Sequence, residues 1–465
     1  MSIRMIAVDI GAGSGRVIFG VHDGKKLFMR EEARFTHPLE KDEKGILNWN
    51  FPYIWQCVKE NIQRILDREG TVDSIGVESF ACDYCVYDQN GDLTAPMTSY
   101  RGYLASTYQQ EVLKIISQDR FWEICGNMPA CYTMLFQLYH QRSTNPALSQ
   151  EGTVVLPLSN AINYLLCGVK CTDHTVSTVS GLVNRRTRNW DPEICRVALP
   201  NPNVLPPIYP CETVLGNCLL PCKGAPPKIV NVGMHDTAVA NHMIGHLAGD
   251  QICINAGTWV SVGVITDSPV INPLSRARNM MNAGLPDGRN LMCRIMMGTW
   301  YLQQLKKYWQ NQGRELSYPQ MIALAQQCNE ETWPIDILQG DYFDSDPDLP
   351  KLVRNWVQAH YGAQIETDAG ILCCCYKGIA QAVAAEVQNL EAIMGRSYHQ
   401  IYMGGGATQD PFLCELIQKY TGKELVLMPA ESTAAGNLLI QLKALGAVQT
   451  QDEIKTLLEN TQVLL

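Results

Sequence analysis

Basic charge is in short supply in this 465-residue sequence: 37 Lys and Arg stand against 46 Asp and Glu, a net charge of −9. No dense Lys/Arg cluster occurs, and binding to a phosphate backbone or an anionic membrane surface needs one. Neither a nucleic-acid nor a membrane partner is therefore expected. Long apolar runs are missing too. None approaches the roughly 20 residues that span a bilayer, and the first apolar stretch is cut short by Asp9, which leaves no leader pattern. The expected location is the cytoplasm. Low-complexity tracts are also absent: 36 Gly and 24 Pro are close to ordinary usage. With 46% hydrophobic and 18% charged residues, the composition is that of a folded globular protein. Its length is too great for one ordinary core, so two domains or more are expected.

Cysteine, by contrast, is plentiful. Eighteen residues in a reducing compartment are thiols rather than a disulfide framework. Many, such as Cys57, Cys253 and Cys293, occupy apolar positions, where Cys behaves as a small hydrophobe. The run Cys373-Cys374-Cys375 points to three faces of a helix, and no neighbouring His or paired-cysteine spacing completes a site around it. A buried helix is the expectation there, not zinc.

The stretch MIAVDIGAGSGRVIFG, residues 5–20, organises what is present. Its first apolar residues suit a buried strand. Gly11 to Gly15 make a turn without bulky Cβ groups, and Arg16 leads into a second apolar run. Such a turn can aim backbone N–H groups at an anion. Asp9 beside it would repel phosphate unless a divalent cation lay between them. A plain glycine-rich hairpin fits the same residues equally well. Neither a Walker A sequence nor a dinucleotide fingerprint is present, because a strand follows the turn.

Further along, His22-Asp23-Gly24-Lys25 signals a hairpin, and residues 26–35 suit a third strand. Asn50 with Pro52 starts a helix carrying Ile54, Val58, Ile62, Ile65 and Leu66 on one face. Residues 74–93 then read as two more strands, and 154–168 as a short extended piece before a buried helix. The second half repeats this order. Residues 251–268 give strand, small-residue turn (Ala256-Gly257-Thr258) and strand; 290–297 supply a third strand, and a helix follows. A long helix over 371–394 precedes HQIYMGGGATQD, a strand running into three glycines. Two copies of one strand-rich unit, each with a phosphate-type turn, form an α/β duplication.

Seven segments in order carry a resemblance over nearly the whole chain: AVDIGAGSGR (7–16), DSIGVESFACDY (73–84), GMHDTAVA (233–240), NAGTWVSVG (255–263), IMMGTWYLQ (295–303), MGGGATQD (403–410) and PAESTAAGN (429–437). In these the chain resembles the FGGY family of carbohydrate kinases, with rhamnulokinases the nearest likeness and L-fuculokinases next. The resemblance implies two actin-like, ribonuclease-H-like lobes (duplicated βββαβα) with an interlobe cleft. The N-terminal lobe would be 1–243, for sugar and the first phosphate loop, and the C-terminal lobe 244–465, for nucleotide. It implies Mg²⁺ and ATP, with transfer of phosphate to O1 of a 6-deoxy-ketohexose, L-rhamnulose or L-fuculose. A ribulose- or xylulose-type ketose is the alternative, and a non-catalytic actin-like ATPase a more distant one. A monomer or homodimer would serve.

By the same resemblance Asp236 is the catalytic base, which the chemistry requires because a sugar hydroxyl is a poor nucleophile. As an Asp before Thr237 it also suits a helix N-terminus. Ala81, Asp83, His235, Asp236 and Thr237 would meet the sugar. Ala12, Gly13, Ser14, Gly15, Arg16, Gly257, Thr258, Gln303, Gly404, Gly405 and Gly406 would meet ATP. Asp9 would organise Mg²⁺ through water. Two departures concern the sugar. Tyr100-Arg101-Gly102-Tyr103-Leu104-Ala105 replaces a Tyr-Arg-Asp-x-Arg-Thr segment, and Ile295 stands where rhamnulokinases carry a sugar-contacting Asn.

Overall fold

The structure is a computed structural model that describes residues 2–103, 108–338, 348–428 and 432–464. The chain forms two compact units. The first comprises Met1–His246, Thr266–Met292 and Thr433–Leu465; the second comprises Leu247–Ile265 and Cys293–Ser432. The sequence divides the chain once, at 243/244. Compactness divides it at four points, and the C-terminal residues belong with the first unit.

That unit is built on a mixed sheet. β1 (Ile3–Ile10), β2 (Ser14–His22) and β3 (Leu27–Thr36) form an antiparallel meander. The β2–β3 turn falls at the expected hairpin, where Asp23 N–H donates to Lys26 O and Gly24 has φ +98°. β4 (Ser74–Ser79) joins β1 in parallel, β5 (Thr213–Asn217) lies at the edge, and β6 (Lys228–Asn231) runs parallel to β4. The order is β5-β6-β4-β1-β2-β3, closed by the strand Gln462–Leu464.

α1 (Phe51–Glu69) starts as expected, with Asn50 Oδ1 accepting from Tyr53 N–H. It buries Ile54, Val58, Ile62, Ile65 and Leu66 against Ile6, Val8, Ile10, Val17, Ile75 and Val77 of the sheet. The alternation of β1 sends Met5 and Ala7 to the other face. There the helix Ser432–Ala444 packs so closely that a Cβ at Gly76 would lie 2.5 Å from Asn437 Oδ1, and one at Gly20 2.6 Å from Leu438 Cδ1. Gln441 fixes the register: its Nε2 donates to Ile6 O (3.0 Å) and its Oε1 accepts from Ser74 Oγ (2.7 Å). These buried polar bonds to strand backbone explain why the chain's end joins its beginning.

The second unit repeats the plan. β7 (Ile252–Ala256), β8 (Trp259–Thr266) and β9 (Asn290–Met297) are followed by β10 (Gln400–Gly404) and β11 (Glu424–Leu427), in the order β9-β8-β7-β10-β11. β7 pairs antiparallel with β8 and parallel with β10, as β1 does with β2 and β4. The expected duplication is present. The helix Asp368–Met394 corrects one expectation: by length and composition it could cross a bilayer, although no single apolar run signals it. Most of it is buried inside the unit, including Cys373, Cys374 and Cys375, and all 18 cysteines are free thiols.

Candidate active site

Asp9 and Arg16 are opposed across the β1–β2 hairpin, because the Gly11–Ser14 turn, closed by Gly11 N–H to Ser14 O (3.0 Å), sets that register. Their side chains form an ion pair. Arg16, expected at the nucleotide, is thus engaged by Asp9. On the other side of β1, Glu78 stands in register with Asp9. It is fully buried beside Asn437, and burial foremost, then the Asp9 charge, pushes its pKa well above the usual range. The sequence reading passed over Glu78. The signal was a carboxylate in an otherwise apolar strand.

Asp236 opens the helix Asp236–Ala248. Its Oδ1 accepts from Thr237 N–H (2.5 Å) and Thr237 Oγ1 (3.1 Å) in the first turn of the helix, and the side chain keeps 24% of its surface exposed. Burial raises its pKa to about 7, with the Asp9 charge the next cause. His235 Nε2 lies 3.7 Å from Asp236 Oδ1, and burial lowers its pKa to about 4, which makes the imidazole neutral at pH 7. The segment is held from below by residues that sequence did not suggest. Asp173 accepts from Met234 N–H (2.7 Å), Thr175 N–H (2.6 Å) and Thr175 Oγ1 (2.6 Å), and Thr175 Oγ1 accepts from His235 N–H (3.2 Å). Ala81 packs beside Met234. Asp9, Ala81, His235, Asp236 and Thr237 are therefore brought to one end of the first sheet, where β1 and β4 finish.

Asp83 is different. The sequence offered it as a sugar-hydroxyl acceptor, but it is 1% exposed, and its carboxylate already accepts from Trp49 Nε1 (2.6 Å), Tyr100 N–H (2.9 Å) and Gln137 Nε2 (3.0 Å). Burial raises its pKa to about 7. Gln137 also donates to Cys82 O (3.1 Å), whose residue has the left-handed φ of +88°. Asp83 thus braces a strained turn next to Ala81. Replacing it with Ala strands the Trp49 Nε1 and Tyr100 N–H donors, each worth about 1–3 kcal/mol, while Gln137 keeps Cys82 O and Tyr132 O as acceptors. We expect Asp83→Ala to lower the thermal unfolding midpoint by calorimetry far more than Asp88→Ala, in an exposed turn. Equal midpoints would show that the network is not structural.

In the second unit, Gly257 and Thr258 form the β7–β8 turn. Thr299 N–H donates to Gly257 O (2.9 Å) and Gly298 N–H to Thr258 O (2.8 Å), which ties the turn to the start of the helix Trp300–Asn311. Gln303, on that helix, donates from Nε2 to Thr258 Oγ1 (2.9 Å). Gly404 ends β10 opposite Asn255, Gly405 follows with φ +90°, and a Cβ there would overlap the Ala256 carbonyl oxygen. These residues, all expected at the nucleotide, gather at one end of the second sheet. Residues 104, 105 and 429–431 of the sequence motifs lie outside the described residues.

A hard cation suits the first cluster. Asp9 and Asp236 carry carboxyls here, with the Glu78 carboxyl behind them, and Arg16 is the cation paired among them. Among the described residues no three His, Cys, Asp or Glu side chains are arranged to hold a metal directly. That fits Mg²⁺, which keeps much of its water and needs one or two carboxylates.

Residues 4–242 match the N-terminal domain, and residues 252–445 the C-terminal domain, of the FGGY family of carbohydrate kinases. The chain is 27% identical over 459 residues to a rhamnulokinase of Oceanobacillus iheyensis, covering 98% of this chain and 96% of that one. It is 26% identical over 452 residues to a rhamnulokinase of Bacteroides thetaiotaomicron, covering 96% and 92%. In fold it is similar to a xylulose kinase from Rhodospirillum rubrum (TM-score 0.78, 16% identity, 98% and 92% covered). It is also similar to Plasmodium falciparum glycerol kinase with ADP (TM-score 0.77, 14% identity, 99% and 93% covered).

Proposed function

The chain belongs to the FGGY family of carbohydrate kinases, and from that premise we propose that it is a cytoplasmic enzyme phosphorylating O1 of a 6-deoxy-ketohexose, L-rhamnulose or L-fuculose. The observation that carries this is the Asp236 carboxyl, raised to about 7 beside Asp9 and Glu78. A carboxyl with that pKa is about half ionised at neutral pH, and its ionised form is basic enough to take a proton from a hydroxyl as it reacts. Two near full-length relatives that are rhamnulokinases support the sugar class.

In this reading Asp236 Oδ accepts the O1 proton as O1 bonds to the γ-phosphorus, and the bond from that phosphorus to the β–γ bridging oxygen breaks to release ADP. Thr237, donating to the same carboxylate, keeps it oriented through the transfer. His235 is neutral at pH 7, so it can hydrogen-bond a sugar hydroxyl without adding charge. Ala81 leaves room for the sugar. Gly257 and Thr258 offer backbone and hydroxyl groups to phosphate, and Gly404 to Gly406 a flat backbone to the nucleoside. Mg²⁺, held through water by Asp9, would neutralise charge on the ATP phosphates.

Ile295 favours a second reading, in which the same machinery acts on a ribulose- or xylulose-type ketose. An aliphatic group there cannot satisfy the hydroxyl that an Asn would. A coupled ADP-release assay with Mg·ATP separates the two. Its panel is L-rhamnulose, L-fuculose, L- and D-ribulose, D-xylulose and glycerol. Preference for a deoxy-ketose is expected. Preference for a pentulose would select the second reading, and ADP release indifferent to every sugar would overturn both.

A further inference from the structure

Phosphoryl transfer needs cationic groups around the moving phosphate, and Arg16, the cation that the sequence offers at the first turn, is engaged by Asp9. A second guanidinium reaches the same turn from elsewhere in the chain. Arg101 sits in the short helix Tyr100–Tyr103 and donates from Nη2 to Ala12 O at 2.9 Å. Its Cζ lies 5.7 Å from the centroid of the Trp49 ring and 5.9 Å from that of Tyr100, a shelf that holds the plane of the guanidinium. The shelf is itself fixed, because Trp49 Nε1 and Tyr100 N–H both donate to buried Asp83. Arg101 is exposed, and among the described residues no carboxylate lies within ion-pair distance of it. Ala12 O and the Tyr100 side chain take up part of this charged, pre-oriented fork, and Asp83 acts on it only through space, so the guanidinium has no ion-paired carboxylate.

We propose that Arg101 is a further phosphate-binding residue, whose guanidinium grips the terminal phosphate of the nucleotide at the Gly11–Arg16 turn. This rests on the kinase reading. An arginine anchored to a phosphate turn by its carbonyl, stacked on aromatics and free of a direct ion pair has the geometry for bidentate contact with phosphate oxygens. Its hydrogen bond to Ala12 ties ligand contact to the shape of the turn.

The test uses three variants of the full chain. Arg101→Gln keeps an amide donor for Ala12 O without charge, Arg101→Lys keeps charge without the fork, and Arg101→Ala removes both. Calorimetric titration with ATP, ADP and adenosine, each with Mg²⁺, reads the contact directly. We expect Arg101→Gln and Arg101→Ala to lose affinity for ATP about 10- to 100-fold beyond any loss for ADP, the range of a charge-assisted hydrogen bond. Adenosine binding should be unchanged, and Lys intermediate. Turnover with the sugar should fall in the same order. If ATP and ADP weaken equally, or if Gln matches wild type, Arg101 only supports the turn and the proposal is overturned. The kinase reading fails separately: wild-type ADP release independent of sugar would refute it, while loss of the ATP-over-ADP preference in Arg101→Gln would still establish the phosphate contact.

Discussion

With Asp236 replaced by Asn, sugar-dependent ADP release falls by about 10²- to 10⁴-fold, the contribution of a positioned general base, while nucleotide binds as before. Asn preserves the shape of the residue and still accepts from Thr237 N–H, so the helix start is kept and only proton acceptance is lost. The pH dependence identifies the group. Asp236 titrates at about 7 in the folded protein, so the base is protonated below that pH. For the free wild-type enzyme kcat/KM climbs with pH and levels off above about 7, and Asp236→Asn lacks that limb. Stability moves the opposite way. A carboxyl raised from 3.8 to about 7 favours folding fully below 3.8, and that contribution is lost as pH rises through 7. Ionised Asp236 therefore opposes folding at pH 8, and Asn does not ionise. The variant should melt above wild type at pH 8, and the gap should close toward pH 4. His235, lowered to about 4, has the contrary sign, favouring folding above 6.5 and losing that as pH falls, but it is common to both proteins and cancels in the comparison. An inactive variant no more stable than wild type at pH 8 would mean that the carboxyl is not strained by its surroundings. An active one would remove Asp236 from the chemistry.

A buried carboxyl whose ionisation opposes folding is one feature that periodicity does not reveal. The sequence carries the repeated strand order, the helix start at Asn50 and the two small-residue turns, because these depend on local patterns: alternation, caps and missing Cβ atoms. It also carries Asp236, through a short motif. It does not reveal that Asp83 is sealed by Trp49, Tyr100 and Gln137, residues 34, 17 and 54 positions away. A carboxylate beside a candidate pocket reads as a ligand until its donors are known. Asp173, the brace beneath His235, was equally invisible, since its bond to Met234 spans 61 residues. The return of the helix Ser432–Ala444 to the first unit depends on Gly20 and Gly76 admitting Leu438 and Asn437, a fit that only the packed structure displays.

Gly405→Ala is the second large effect, and it tests the nucleotide side independently of Asp236. Gly405 has φ +90° and ψ 171°, a conformation essentially restricted to glycine. Forcing an L-residue into it costs about 1–3 kcal/mol. The methyl group would also overlap the Ala256 carbonyl oxygen and lie 2.7 Å from Asn255 Oδ1, and such overpacking adds about 1–3 kcal/mol. Ala256 is the last residue of β7, directly before Gly257 and Thr258. β7 is paired with β10 through Asn255 and Gly404, so the strain cannot be relieved at one turn alone. Gly404 to Gly406 and the Gly257-Thr258 turn must both shift. We therefore expect ATP and ADP affinity to fall together by about 10- to 1,000-fold, at 1.4 kcal/mol for each factor of ten. Titration calorimetry checks this, and Gly406→Ala is the internal control. A Cβ at Gly406 meets nothing within 4 Å and its φ is not positive, so that variant should bind nucleotide as wild type does. Equal losses in both variants would point to a general disturbance of the second unit. Wild-type affinity in Gly405→Ala would mean that this turn does not face the nucleotide at all.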